Sequence, residues 1–313
     1  MIRSKQTKET KELKPKKRRF SQWQLYVFLI PALTYIIIFS FIPIFGIIIA
    51  FQDYSPALGF FNSPWVGSLK FDMFFSSYYF WDILWNTISL SLYSLIINTV
   101  FPIILALLIN EVPYKKFRKF IQTLSYSPYF ISLVVLVGMF NLFLASDGGF
   151  MNKIIGALGV APIDFVGDKS WFRTTYVMTG LWQGVGWWSI IYVGALSQVP
   201  IESHEAAAVD GASRWQRILH INLPSIAPII LVLLIMSIGQ IMSVGFEKVF
   251  LMQNSLNREV SEIIATYTYN ISFITMRDLS FGTAVGLFNT VINLALIVLA
   301  NFMSKRITKE SLF

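Results

Sequence analysis

The sequence predicts an all-α membrane protein with six transmembrane helices. Of its 313 residues, 55% are hydrophobic and only 13% are charged, whereas soluble domains carry about 25% charged residues. Six apolar segments reach the roughly 20 residues that a helix needs to cross a bilayer. The Lys and Arg residues fall mainly in segments that would lie on one side of the membrane. Together these three observations indicate a polytopic membrane protein.

Residues 1–19 form a basic N-terminal tail. They hold nine Lys or Arg and two Glu, and their low apolar content predicts a disordered cytoplasmic segment that faces lipid headgroups. No small-residue cleavage site follows the first apolar run, which argues against a signal peptide. Phe20, Trp23 and Tyr26 indicate the interfacial start of the first span. Residues 20–313 are then predicted to form a single six-helix transmembrane domain.

The six spans are predicted at 26–51, 85–109, 121–145, 172–198, 225–252 and 281–303. With the N-terminus inside, eighteen Lys or Arg lie on the cytoplasmic side and seven lie outside. This distribution satisfies the positive-inside rule. We therefore expect a multi-pass protein of a bacterial plasma membrane with both termini in the cytoplasm.

The segment 202–224 is the longest polar interruption between the fourth and fifth spans. The run from Glu205 consists of strong helix formers, and Gly211 suits a helix end that needs a positive φ. Ser213 can N-cap a second short helix, and Pro224 fits the first turn of the next span. The charge distribution places this helix–turn–helix unit in the cytoplasm.

The same segment resembles the EAA loop of ABC-importer permeases, whose pattern is E-A-A-x3-G-x9-I-x-L-P. The matching positions are Glu205, Ala206, Ala207, Gly211, Ile221, Leu223 and Pro224. The resemblance implies a coupling helix that docks on a separate ATPase subunit. It also makes Asp210 and Arg214 plausible contacts at the rim of that interface, although they could equally pair within the loop.

A wider resemblance covers most of the chain. Stretches such as NTISLSLYSL, VGFEKVFLM and the terminal KESLF are similar to one permease subunit of carbohydrate importers of the maltose and multiple-sugar type, in the branch that handles complex oligosaccharides from pectin, xylan or alginate. The resemblance implies the ABC type I importer permease fold and transport by alternating access. It also implies a heterodimer with a second homologous permease subunit, two ATPase subunits that bind ATP and Mg, and an extracytoplasmic solute-binding protein.

The sequence offers no catalytic site of its own. It contains no P-loop pattern, and the absence of cysteine excludes a thiol nucleophile or a Cys-based metal site. His204 and Glu205 begin an H-E-x-x-H pattern, but Ala208 occupies the position of the second His. We therefore predict no enzyme activity, no metal, no bound cofactor and no nucleic-acid partner. An ABC permease for a non-sugar solute, a secondary transporter and a sensor subunit remain as alternatives.

Polar and aromatic residues within the spans are candidates for a substrate path. Flat aromatic faces and amide groups suit a sugar, which is polar at its hydroxyls and apolar on its ring faces. Helix packing, and for Glu247 an interfacial pair with Lys248, are the alternative interpretations. The candidates are Trp182, Gln183 and Trp187 in span four, Gln240, Ser243 and Glu247 in span five, and Asn289 and Asn293 in span six.

Overall fold

A computed structural model describes residues 23–308. The predicted basic tail, residues 1–19, and the terminal KESLF lie outside the described residues. Within 23–308 the regular secondary structure is helical, apart from one isolated β-bridge between Gln52 and Trp65. This confirms the all-α fold class. The α-helices are α1 (Trp23–Ile36), α2 (Gly59–Asn62), α3 (Leu69–Phe75), α4 (Phe80–Asn110), α5 (Lys115–Tyr126), α6 (Leu133–Phe143), α7 (Phe150–Ala157), α8 (Lys169–Leu196), α9 (Ile201–Val209), α10 (Arg214–Arg217), α11 (Leu223–Ile238), α12 (Phe246–Met252), α13 (Arg258–Ser261), α14 (Ile264–Tyr269) and α15 (Leu279–Thr308).

The first compact unit of the described chain runs to Ile48. It contains α1, a π-helical stretch at Ile37–Phe41 and the start of a 3₁₀ stretch at Ile42–Phe51. Most of its large apolar side chains are exposed. A continuous apolar helix of this length, with its side chains outward, is typical of a membrane span.

The second unit holds the other helices long enough to cross a membrane. By length and composition Phe80–Asn110, Arg214–Ile238 and Leu279–Lys305 qualify. With Tyr26–Phe51 they make four in the described part of the chain, or five if the bent pair of α5 and α6 forms one span. Helix α8 has 28 residues, or about 42 Å at 1.5 Å per residue, but its Trp, Tyr, Thr and Gly content makes it less apolar. The number of six spans stays a prediction.

Two predicted spans are not the continuous helices that the sequence suggested. The predicted span 121–145 bends by 99°, where a 3₁₀ turn at Ser127–Phe130 ends and Ser132 caps α6. The predicted span 225–252 is wrong in its continuity, because α11 ends at Ile238 and a 3₁₀ turn at Ile241–Ser243 separates it from α12. Glycine at either side of the break allows close packing, because a Cβ atom at Gly239 would lie 2.9 Å from Ile297 Cδ1 and one at Gly245 would lie 3.3 Å from the Tyr176 hydroxyl.

The core of the second unit is built around the long pair α4 and α8, which pack along most of their length. One cluster of buried apolar side chains joins this pair to α6 and α12 and includes Leu90, Phe172 and Val249. A second cluster, around Ala106 and Leu196, joins the other end of the pair to α11. A third, around Phe74, joins α3 and α4 to α15.

Asn86 ties the segment before α14 to the pair α4 and α8. Its amide nitrogen donates to the carbonyls of Glu259 and Glu262, and its Oδ1 accepts from Arg173. Thr87, the next residue of α4, accepts through its Oγ1 from the Ile264 amide at 3.0 Å. Buried polar groups are stable only when they are hydrogen-bonded. These bonds supply partners to backbone carbonyl and amide groups that have none within a helix.

Lys70 joins three separate segments outside the long helices. Its Nζ lies 2.8 Å from a carboxylate oxygen of Asp53 and 2.8 Å from one of Asp278. The side chain of Lys70 is buried, that of Asp278 is partly buried, and that of Asp53 is largely exposed. Burial alone would lower the pKa of Lys70, but hydrogen bonds and charge from Asp278 and Asp53 raise it above its ordinary value. Lys70 is therefore charged at neutral pH and holds α3 against the segment before α15.

We expect Lys70→Gln to destabilise the protein by about 1–3 kcal/mol, because it leaves the partly buried Asp278 carboxylate without its counter-charge. The measurement is thermal unfolding of the detergent-purified protein. Lys169→Gln is the control: it removes a pair with Glu259 in which both side chains are more than half exposed, and such pairs contribute about 0–1 kcal/mol. Equal shifts for the two variants would contradict a structural role for the buried pair.

Candidate functional site

A polar cavity of about 600 Å³ lies between α4, α8, α11 and α12. Along α8 it reaches from Tyr176 to Tyr192, or about 24 Å at the helical rise. Both of these tyrosines also belong to buried clusters, at opposite ends of the helix pair. The cavity therefore lies along the α4–α8 pair between two clusters of buried apolar side chains.

Helix α4 contributes a polar stripe to this cavity. Ser91, Ser94, Asn98 and Thr99 all line it, and their spacing places them on one face of the helix. Ser94 Oγ and Asn98 Oδ1 have no hydrogen-bond partner among the described residues. Buried polar atoms without a partner are uncommon in folded proteins, so the described residues alone do not satisfy the polar groups of this wall.

Helix α8 contributes aromatic and amide groups. Tyr176, Gln183, Trp188 and Tyr192 line the cavity. The indole of Trp188 lies against Gly184, where a Cβ atom would come within 2.5 Å of the ring, so glycine is needed for this orientation. The side-chain nitrogen of Gln183 donates to the carbonyl of Ile131 at 2.9 Å, in the bend between α5 and α6.

The break between α11 and α12 forms another wall and contributes Gln240 and Ser243. Two distant helices satisfy its polar groups. Ser91 donates to the Ile241 carbonyl. Asn293 of α15 accepts from the buried Met242 amide at 3.0 Å and donates to Ser243 Oγ at 2.9 Å. Because unpaired backbone groups are costly in a membrane, these contacts are what allow the helix to open here.

Lys248, in the first turn of α12, is the positively charged residue of the cavity lining. Its side chain is buried, its Nζ donates to the Tyr176 carbonyl at 2.6 Å, and Nζ lies 4.5 Å from the centroid of the Tyr176 ring. The neighbouring Glu247 is exposed, and the ion pairs of the described residues do not include one between them. The alternative of a Glu247–Lys248 pair is therefore wrong.

The structure brings some of the predicted path residues together and separates others. Gln183, Gln240 and Ser243 line the cavity, and Asn293 supports its wall through Ser243. Four candidates lie outside the lining. Trp182 packs edge-on against Phe140, and Trp187 stacks on Tyr129 with ring centroids 4.5 Å apart. Glu247 is exposed, and the Oδ1 of Asn289 is buried without a partner among the described residues. Which of them contact substrate stays a prediction.

Sequence reasoning missed the α4 side of the cavity and Lys248's part in it. The signal for α4 was available, since Ser91, Ser94 and Asn98 recur at helical spacing inside an apolar span. Lys248 was noted only as a neighbour of Glu247. Its position against α8 depends on the break in the preceding helix, for which the apolar sequence gives only weak signals at Gly239 and Gly245.

The segment 202–224, predicted to be a cytoplasmic loop, has the expected first helix, glycine turn and Ser213 cap. Helix α9 ends in a Schellman motif, in which the Ala212 amide donates to the Ala207 carbonyl and the Gly211 amide donates to the Ala208 carbonyl. Gly211 has φ 78°, a conformation that glycine adopts without strain. Ser213 then forms a capping box with Gln216 at the start of α10.

The second helix of this loop is not a separate short element. Helix α10 continues through a π-helical stretch, Ile218–Asn222, into α11, so that Arg214–Ile238 is one helix of 25 residues. Ile221, Leu223 and Pro224 therefore belong to this continuous helix. Its far end is the break at the cavity.

The outer surface of the loop is open to solvent. Glu205, Ala206, Asp210 and Arg214 are exposed, and none of the charged three forms an ion pair with another described residue. Two large apolar residues of the same loop are also exposed, Val209 by 88% and Trp215 by 68%. A charged rim around exposed apolar side chains is typical of a protein interface.

The chain belongs to the family of binding-protein-dependent transport system inner membrane components, whose profile matches residues 98–309. It is therefore a membrane-embedded permease subunit of a transporter. Membership argues against the secondary-transporter and sensor alternatives and agrees with the prediction that the chain is not itself an enzyme.

Two relatives and one solved structure are similar to this chain over most of its length. Protein LplB of Bacillus subtilis (strain 168) is 44% identical over 289 residues, which cover 92% of this chain and 91% of that protein. The polygalacturonan/rhamnogalacturonan transport system permease protein YteP of the same organism is 41% identical over 292 residues, covering 93% and 91%. A chain in the crystal structure of a bacterial alginate ABC transporter, in complex with an alginate pentasaccharide-bound periplasmic protein, matches with a TM-score of 0.85 and 36% identity, covering 93% of this chain and 97% of that chain.

We expect Asn293→Leu to lower stability by about 1–3 kcal/mol, because the buried Met242 amide loses its acceptor. Thermal unfolding of the purified protein measures the change. Thr290→Val is the matched control on the same helix, since Thr290 is exposed and bonds only the Gly286 carbonyl of its own helix. If Asn293→Leu melts like the control, Asn293 does not hold the break.

Proposed function

We propose that this chain is one of two permease subunits of an ATP-driven importer and forms part of the translocation path for an oligosaccharide, of uronate or plant-polysaccharide origin. The observation that carries this proposal is the polar, aromatic-lined cavity between α4, α8 and the broken helix. It lies inside a membrane protein of a binding-protein-dependent transport family.

The composition of the cavity supports a saccharide as the substrate. Serine, asparagine and glutamine side chains can bond sugar hydroxyls, while the Tyr176, Trp188 and Tyr192 rings can contact the apolar faces of sugar rings. The related permease YteP is named for polygalacturonan and rhamnogalacturonan transport, and the similar solved transporter imports alginate. A non-sugar solute remains the alternative, and competition between labelled substrates would identify it.

The proposed partners follow from the family and from the loop. The family is binding-protein-dependent, so we propose an extracytoplasmic solute-binding protein that contacts the external segments. Two ATPase subunits, which carry ATP and Mg, would dock on the cytoplasmic loop through Glu205, Asp210, Arg214 and the apolar Val209 and Trp215. A second homologous permease would complete the path. This arrangement requires both termini in the cytoplasm.

Coupling would use the continuous helix Arg214–Ile238 as a lever. Its cytoplasmic end lies directly after Gly211, and its other end is the break at the cavity. Closure of the ATPase pair would displace the loop, and a helix of about 37 Å would carry that displacement to the cavity wall. Alternating access then follows from the different affinities of the partners for the two states.

A gentle affinity purification of the tagged protein tests the proposal. We expect a P-loop ATPase and a second multi-span protein to copurify, and the complex in vesicles to take up oligosaccharide only with ATP and binding protein. Recovery of this chain alone in a transport-active form would contradict the proposal.

In the same experiment, Gly211→Val should reduce the copurified ATPase and the uptake by about tenfold or more, since 1.4 kcal/mol of docking free energy corresponds to tenfold. A branched side chain is strained at φ 78°. Gly159→Val is the matched control: Gly159 has φ 79° and equally open surroundings, but it follows α7, away from the loop in the sequence. The Gly159 variant should keep its ATPase, and equal loss in both variants would point to general instability.

A further inference from the structure

We infer that Lys248 is the residue that recognises an acidic saccharide, by pairing its ammonium group with a sugar carboxylate in the cavity. This inference rests on the proposed oligosaccharide-import function and adds the charge of the substrate to it. It assigns one specificity-determining residue, at the junction of α8 and α12.

The ammonium group of Lys248 has donors to spare. An ammonium carries three N–H donors, and one bonds the Tyr176 carbonyl. Lys248 is in none of the ion pairs that the described residues form, and the residues lining the cavity include no Asp or Glu. In the described part of the chain the positive charge is therefore without an anionic partner.

The position of the ammonium group is fixed by its surroundings. Gly180 allows it to reach the α8 backbone, because a Cβ atom there would lie 2.9 Å from Nζ. The Tyr176 ring lies beside it, where the ring face attracts a cation. Val249 and Met252, next along α12, are buried in the cluster that holds α12 against α8. These contacts hold the ammonium group at one place in the cavity lining.

A buried, unpaired cation in a membrane protein is costly and marks a functional site with a missing partner. Glu247, the residue before Lys248, could have supplied a carboxylate to pair with the ammonium group, but its side chain is exposed. A carboxylate on a bound sugar would supply it, while the neighbouring hydroxyl and amide side chains bond the remaining sugar groups. The same carboxylate would gain a charge-assisted hydrogen bond, which is stronger than a neutral one.

A lysine also suits a family of related acids. Its ammonium is a compact point charge on a flexible stem, so it accepts a carboxylate without fixing the plane of that group. We therefore expect oligomers of galacturonate and of mannuronate to be recognised alike through this contact, and their carboxyl-reduced counterparts to be recognised poorly through it.

The test is uptake by the complete importer in vesicles, with its partner subunits and its binding protein unchanged. The probes are trigalacturonate, trimannuronate and carboxyl-reduced trigalacturonate. Lys248→Gln removes the charge but keeps a donor for the Tyr176 carbonyl. Lys248→Arg keeps the charge, and Gly180→Ala displaces the ammonium group without removing it. Thermal unfolding of each variant reports whether it remains folded.

We expect Lys248→Gln to lower kcat/KM for both acidic trisaccharides by about tenfold or more relative to the neutral one, so that the preference for acid is lost. Gly180→Ala should reduce this preference and Lys248→Arg should retain much of it. Equal losses for acidic and neutral probes, or no loss, would overturn the assignment of Lys248 alone. No ATP-dependent uptake of any probe by the wild type would instead overturn the proposed oligosaccharide function, and the assignment with it.

Discussion

The structure depends on how an interrupted membrane helix keeps its backbone polar groups paired. Between α11 and α12 the chain leaves the helical conformation, and in a bilayer such a break is stable only if protein groups replace the lost hydrogen bonds. Asn293 and Ser91 provide them from two other helices. The break then turns Gln240, Ser243 and Lys248 toward α4 and α8, and an apolar span becomes one wall of a polar cavity.

A single helix joins the cavity to the loop at 202–224, which we propose to be cytoplasmic, and so could couple them mechanically. Helix Arg214–Ile238 begins directly after the glycine turn of the loop and stops at the break. Buried clusters close the α4–α8 pair at either end of the cavity, so a displacement of α11 would act mainly on the polar stretch between them. In the proposed transport cycle, this geometry converts movement of an ATPase surface into opening and closing of the path.

Local rules predicted the loop well, and long-range packing decided what they missed. The positive φ of Gly211 and the cap at Ser213 depend on residues within one turn, so the sequence was sufficient for them. The break after Ile238 lies in an apolar run that is typical of a continuous span, and it is stabilised by Asn293, about fifty residues away. Trp187 was a path candidate because its flat aromatic face suits a sugar ring, but its stacking on Tyr129 depends on the bend between α5 and α6. Six spans remain a prediction, since α8 is the least apolar of the long helices.

The absence of cysteine from this chain makes one measurement especially direct. Ser94→Cys places a single thiol at an unpaired position of the cavity wall, and Leu92→Cys places one at an exposed apolar position two residues away. The rate of alkylation by a small neutral maleimide would be followed in the ATP-driven importer with and without transported oligosaccharide. If the cavity is the translocation path, oligosaccharide slows alkylation at position 94 several-fold and leaves position 92 unchanged. Equal rates at position 94, while uptake proceeds, would show that substrate takes another route.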